Sequence, residues 1–205
     1  MLIYQVVLEN NLEKPNIILL GGGGHCLSVI DVIERENKYF IKGILDSSIK
    51  DNNILGYPVL GGDDEIPRLI DKNIFFLITV GQIKNFEIRK RIAINLTKYK
   101  AQLVTVISPL AYVSPHAKIK KGTVIMHQAF VNAGAEIGEH CIINTKANIE
   151  HGVKVEDFCH ISTSAIVNGD SIVKRGTFIG SNATISNGIT IEENSIISAG
   201  KFVRR

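Results

Sequence analysis

The 205-residue chain has no proline after Pro115. Proline lacks the N–H that paired strands need, so its absence leaves the second half free to form an unbroken ladder. No stretch approaches the roughly 18 apolar residues of a membrane span, and no bilayer crossing is expected. The opening Met1-Leu2-Ile3-Tyr4-Gln5 has neither a basic leader nor a long apolar core, which points away from a signal peptide and toward the cytoplasm. An excess of one charge is missing too: the net charge is +3 and the basic runs, such as Arg89-Lys90-Arg91 and Lys174-Arg175, are short. That is too little to imply a nucleic-acid partner. Cysteine is scarce, with only Cys26, Cys141 and Cys159. The last two could stack one above the other, but a cytoplasmic chain keeps thiols reduced, so no disulfide is expected. What remains, 45% hydrophobic and 21% charged residues, is ordinary globular composition with room for one large domain or two small ones.

The strongest positive signal is a period of six. Every sixth residue from Ile107 through Val203 is Val or Ile, seventeen positions without a miss. A helix repeats its apolar face every 3.6 residues and a strand every two, so neither explains it. A solenoid with three short strands per coil does, each strand sending one β-branched side chain inward. The position two residues earlier is mostly small (Ala129, Ala135, Cys141, Ala147, Cys159, Ala165), as tight corners require. Gly and Asn fall between the strands, where positive φ is often needed. Burying one inward side chain is worth roughly 1.5–3 kcal/mol, whereas ordering each residue costs about 1–2 kcal/mol. A single coil with three such side chains therefore cannot stand, and about five coils must stack.

Residues 16–106 alternate strand and helix patterns. Asn16–Leu20 is a short apolar run ending in Gly21-Gly22-Gly23-Gly24, followed by a helical pattern with Leu27, Ile30 and Ile33. Phe40–Leu45 reads as a second strand ending at Asp46, Asp63–Ile70 as a short helix and Ile74–Val80 as a third strand. Phe86–Leu96 is a helix with Ile88, Ile92 and Leu96 on one face, and Leu103–Val106 is a last strand leading into the solenoid. This is a small Rossmann-like α/β domain with a parallel sheet. The division is 1–106 and 107–205, with Ile3–Leu8 readable as an added edge strand or a loose arm.

Four glycines before a helix let backbone N–H groups approach an anion at the positive helix end. The dinucleotide fingerprint G-x-G-x-x-G is not met, because its last place falls on Leu27 or Cys26, which argues against NAD. Asp46, at the carboxyl end of the second strand, stands where such folds contact a ribose or base. Five of six histidines (His116, His127, His140, His151, His160) lie in the solenoid. β-Helical carbonic anhydrases are similar in architecture and use three histidines for zinc. Stacking by eighteens, however, sets His151 against Ala133 and Gly169, and His160 against Ile142 and Phe178, so no metal is expected within one chain. His151, at a strand end beside Gly152, would be an exposed corner imidazole able to take a proton near neutral pH.

The chain resembles the bacterial nucleotide-sugar acetyltransferases of the sialic acid O-acetyltransferase (NeuD-like) type and the related enzyme that N-acetylates a UDP-4-amino-sugar for bacillosamine. The resemblance rests on Leu20-Gly21-Gly22-Gly23-Gly24-His25, Ile44-Leu45-Asp46 and Glu87-Ile88-Arg89-Lys90. In the solenoid it rests on Asn144-Thr145-Lys146-Ala147-Asn148-Ile149-Glu150-His151 and Asp157-Phe158-Cys159-His160-Ile161-Ser162. It implies a left-handed parallel β-helix, with acetyl-CoA as co-substrate lying between subunits of a homotrimer. It makes His151 the general base, with Asn144 beside it and His160 lining the acceptor site. Gly169 would hold the thioester oxygen through its N–H, and Gly180 and Ala199 would lie along the coenzyme. Gly22, Gly23, Gly24, His25 and Asp46 would contact the nucleotide sugar.

Two departures stand out. The family has a carboxylate directly after the catalytic histidine, and this chain has Gly152 there, with Glu150 expected to point elsewhere. The family's extension after Ser198-Ala199-Gly200 is also absent, so Lys201, Arg204 and Arg205 would have to supply contacts to the coenzyme's nucleotide end. The expected reaction is direct attack of a sugar amine on the thioester, in a chain without nucleic-acid or membrane partners. O-acetylation of a sialic-acid-like sugar is the near alternative, and a non-catalytic sugar-nucleotide-binding subunit the distant one.

Overall fold

The computed structural model describes residues 14–204; the reading of Ile3–Leu8 lies outside them. Strands β1 (Asn16–Leu20) and β2 (Phe40–Leu45) are joined by helix α1 (Gly24–Glu36). A two-stranded hairpin, β3 (Asn53–Ile54) and β4 (Tyr57–Pro58), follows. After it come a 3-10 turn (Asp63–Glu65), the one-turn helix α2 (Ile66–Leu69), β5 (Ile74–Ile78), α3 (Glu87–Lys98) and β6 (Gln102–Leu103). The sheet order is β2-β1-β5-β6, parallel throughout. Strand order reverses beside β1, which makes the carboxyl end of β1 the place where such sheets bind ligands. The glycine run sits there.

The sequence misplaced some details. The expected helix over 63–70 breaks into a 3-10 turn and a single α turn with Pro67 in its first turn. The expected strand Leu103–Val106 is split: β6 closes the sheet, the chain changes direction, and β7 (Val106–Ile107) opens the solenoid. In α1 the buried face is Cys26, Val29, Ile30, Val32 and Ile33, while Leu27 is exposed. In α3 the inward residues are Arg89, Ile92, Ala93 and Leu96, leaving Ile88 outside. Both helices are rotated slightly from the face their aliphatic residues alone would choose, because each must also meet the solenoid.

Strands β7 through β23 (Phe202–Val203) form three flat faces of six, six and five parallel strands. Vertical partners are eighteen residues apart, as in Ile125↔Ile143, Ile149↔Val167 and Ile137↔Val155. The six-residue Val/Ile series fills the interior together with the small-residue column, including Cys141 and Cys159, which are buried thiols. Side chains at the two ends of the series, such as Ile107 and Val203, are only partly covered.

The outward residues give the faces different characters. The first carries Val106, Val124, Ile142, His160, Phe178 and Ile196; its early part packs under α1, with Val106, Val124 and Met126 joining Cys26, Val29 and Ile30 in one cluster. The second carries Tyr112, Phe130, Asn148, Ile166, Thr184 and Phe202, with the Tyr112 and Phe130 rings stacked at 4.9 Å. The third carries Lys118, Glu136 and Lys154, with Ile172 and Thr190 beyond them.

Arg89 fastens the domains. Its side chain is buried, and it donates to Val80 O at 2.5 Å and Ile78 O at 3.2 Å at the end of β5, and to His140 O at 2.8 Å on the solenoid. Burial pulls its pKa down to about 10. A second seam runs through Phe158, whose ring meets Phe86 at 5.4 Å and His140 at 4.9 Å.

Candidate functional site

An open cleft of about 770 Å³ lies where the carboxyl end of the sheet meets the first face of the solenoid. The N-terminal domain contributes Gly21, Gly23, Gly24, His25, Asp46 and the segment Thr79–Ile83; the solenoid contributes Asn144, Thr145, His160 and Thr163. The fold thus brings together glycine-run and solenoid residues that are more than a hundred positions apart in sequence.

The glycine loop is held from below. Thr79 Oγ1 donates to Gly21 O at 2.6 Å, and Gly22 N–H donates to Asp46 Oδ2 at 2.8 Å. Gly22 does not line the cleft: a Cβ there would strike Ile49 and Ile54 within 2.6 Å. Gly23 and Gly24 have open space where a Cβ would be, and Gly23 caps α1 without any side-chain bond. The first turn of this thirteen-residue helix holds no acidic residue, so its N–H groups face the cleft with a positive end. Asp46 is occupied as a brace. Burial pushes its pKa up, but hydrogen bonds from Gly22 N–H, Ser48 Oγ and Ser48 N–H together outweigh that and lower it, keeping the carboxylate ionised.

His160 is fixed on both nitrogens. Nδ1–H donates to Gln82 O at 2.5 Å, which leaves Nε2 as an acceptor for Asn144 Nδ2 at 3.0 Å. Burial lowers its pKa to about 4, with Arg89 adding to the effect, so the ring is neutral near pH 7. Asn144 is fully committed, its Oδ1 accepting from Thr145 N–H at 2.8 Å. His25 lies 6.5 Å from the His160 ring; burial first, then Arg89 and His160, lower its pKa to about 3. Its Nε2 has no hydrogen-bond partner among the described residues. Sequence reasoning missed Gln82 and Thr79, polar residues near the end of β5 whose roles depend on contacts with distant chain segments.

His151 lies outside this cleft, exposed at the corner between the second and third faces. Its ring lies against Gly169 one coil above, where an added Cβ would come within 2.5 Å of Cε1 and 2.7 Å of Nε2. Asp170 Oδ1 stands 4.0 Å from His151 Nδ1. Glu150 is held away by Asn132 Nδ2 at 2.8 Å and Asn148 Nδ2 at 3.1 Å. The Gly169 carbonyl accepts from Gly188 N–H at 2.9 Å, whereas the Gly169 N–H meets no acceptor among the described residues. Gly180 differs: its N–H is bound to Ile197 O at 2.8 Å, and a Cβ would strike Ala199 N at 2.6 Å, so it serves coil stacking. Ala199 is exposed. No cluster of three His, Cys, Asp or Glu side chains among the described residues is placed to hold a metal, and no described helix is long and apolar enough to cross a membrane.

A glycine-looped α/β domain therefore opens onto a three-sided β-helix built on a hexapeptide period. Residues 16–96 match the PglD N-terminal domain and residues 172–205 the hexapeptide repeat of succinyl-transferase. UDP-N-acetylbacillosamine N-acetyltransferase of Bacillus subtilis is 35% identical over 118 residues. That match spans 53% of this chain and half the length of that relative. A mutant of perosamine N-acetyltransferase from Caulobacter crescentus, solved with CoA and GDP-perosamine, superposes with a TM-score of 0.87 at 28% identity, covering 93% of this chain and 89% of that one. The acetyltransferase domain of PglB from Neisseria gonorrhoeae with acetyl coenzyme A gives 0.86 at 28% identity, covering 91% and 89%. The chain is thus similar, in both its N-terminal domain and its solenoid, to bacterial sugar N-acetyltransferases built on the same two-domain plan.

Proposed function

We propose that the protein transfers an acetyl group from acetyl-CoA to the amino group of a nucleotide-linked deoxyamino sugar. The observation that carries this reading is the cleft itself: the open Gly23–Gly24 helix start and the paired Asn144 and His160 line one cavity. The sugar nucleotide's phosphates fit the helix start, and its sugar the histidine end. The similar structures bind CoA with GDP-perosamine, or acetyl coenzyme A, and the named relatives act on nitrogen, which favours N- over O-acetylation.

His151 would act as general base from a neighbouring copy. The second face, with its exposed Tyr112–Phe130 stack, separates the corner bearing His151 from the edge bearing the cleft. Packing copies on that face would bring one copy's imidazole to the next copy's cleft, as in the homotrimer expected from the sequence. The imidazole Nε2 takes the proton as the amine nitrogen bonds to the thioester carbon. The C–S bond then breaks and the coenzyme leaves as a thiolate, which accepts a proton. The unengaged Gly169 N–H is the donor for the developing oxyanion. A covalent cysteine route is disfavoured: all three thiols are buried, and burial raises Cys26 to about 11 and Cys141 to about 12.

The test is thiol release from acetyl-CoA with UDP-, GDP- and CMP-linked amino sugars. His151→Ala should lose about 10²–10⁴-fold in kcat, the usual worth of a general base. A variant as active as the wild type overturns the assignment.

A further inference from the structure

We infer that Asp170 is the positioning carboxylate for His151, supplied from the next coil in place of the residue directly after the histidine. The inference rests on the acetyl-transfer reading above for its functional meaning, and on packing for its geometry.

The strand bearing Ile149 pairs with that bearing Val167, which sets residue 152 directly beneath residue 170. Both occupy the left-handed corner, Gly152 at φ +66° and Asp170 at φ +58°. Asp170 N–H is tied to His151 O at 3.0 Å. A Cβ on Gly152 would sit 2.2 Å from Asp170 Oδ1, so the carboxylate occupies the space a side chain at 152 would need. The same Oδ1 is the atom 4.0 Å from His151 Nδ1. The two coils are cross-packed: the His151 ring lies against Gly169, and the Asp170 carboxylate lies over Gly152. Each functional side chain faces a glycine of the other coil. The space that a side chain at position 152 would take is thus held by a carboxylate from one coil above.

Among the described residues, Asp170 stands near the imidazole and so does the Glu150 carboxylate, the latter tied to Asn132 and Asn148. Asp170 is left to orient the ring. A carboxylate on the Nδ1 side selects the Nδ1–H tautomer and leaves the Nε2 lone pair outward as the base. At 4.0 Å the contact is not yet a hydrogen bond, and catalytic contacts commonly shorten in the substrate complex.

Asp170→Asn isolates the charge, because Asn tolerates the left-handed corner as Asp does. We expect kcat to fall about tenfold or more, as when a residue supporting a functional histidine is lost, with KM unchanged within about twofold. In ¹⁵N spectra of the intact protein, the His151 Nδ1–H tautomer should predominate in the wild type and lose population in Asp170→Asn. Moving the carboxylate back, with Gly152→Asp in an Asp170→Gly background, should recover both signals. An Asp170→Asn variant with wild-type kcat and tautomer ratio overturns the inference. A wild-type protein that shows the tautomer shift but transfers no acetyl group supports the pairing and overturns the acetyl-transfer reading instead.

Discussion

Adding one methyl group at Gly169 separates catalysis from folding. The new Cβ would lie 2.5 Å from His151 Cε1 and 2.7 Å from Nε2. Ordinary carbon contacts begin near 3.5 Å, so the ring must retreat by about 1 Å. The ring has solvent to retreat into, its side chain being 60% exposed. Gly169 does not have positive φ, so alanine costs the backbone little. Stability of Gly169→Ala in urea should therefore stay within about 0.5 kcal/mol of wild type, the usual range for surface changes. Turnover should fall about 100-fold, the usual penalty for a base displaced by about 1 Å, with sugar-nucleotide KM little changed. The contrasting variant is Gly180→Ala, whose Cβ meets backbone atoms of Ala199 and Ile197 at 2.6 and 2.7 Å and has no mobile side chain to displace. It should destabilise by about 1–3 kcal/mol, as overpacking does. The reasoning is refuted if Gly169→Ala keeps kcat within threefold of wild type, or loses activity only in proportion to lost folded protein.

Arg89→Met leaves two buried carbonyl acceptors, on Ile78 and His140, and a half-buried one on Val80 without this donor. A loss of about 3–5 kcal/mol is expected by urea denaturation, less whatever is recovered by no longer burying the charge. Acid should also loosen the protein. Burial holds His140 and His160 at about 4 in the folded state, against an ordinary histidine value of 6.5, so the unfolded chain binds more protons between those limits. Stability then falls as pH drops from about 6.5 to about 4, by up to about 1.4 kcal/mol per pH unit for each histidine. His140→Asn should flatten the dependence of melting temperature on pH over that window; an unchanged slope would count against the assignment.

The solenoid was legible because its constraint is local and repeated. One β-branched residue in six fixes where each strand lies, and eighteen-residue stacking follows by counting. The same counting placed Gly169 above His151. The α/β order and the glycine run were equally readable, since turn chemistry and strand length are properties of short segments. Helix facing was not: Ile88 looked inward by pattern, yet Arg89 took the buried position because the carbonyls it satisfies belong to β5 and to the solenoid. The brace role of Asp46 was hidden for a similar reason, its partner Gly22 being twenty-four residues away. Gln82 gave no signal at all.

By itself, then, the sequence determined the two architectures, the interior of the coil and the chemical types available for a site. These depend on periodicity and on steric rules acting over a few residues. Tertiary structure decided which of those groups share a space. It put Asn144 and His160 opposite the glycine loop, sent His151 to another corner, and filled the hollow of Gly152 with the carboxylate of Asp170. Such pairings depend on how one domain docks on the other and how each coil sits on the last. The partners across the cleft lie more than a hundred residues apart, and although counting by eighteens sets residue 170 over residue 152, only side-chain packing turns the Asp170 carboxylate into that space.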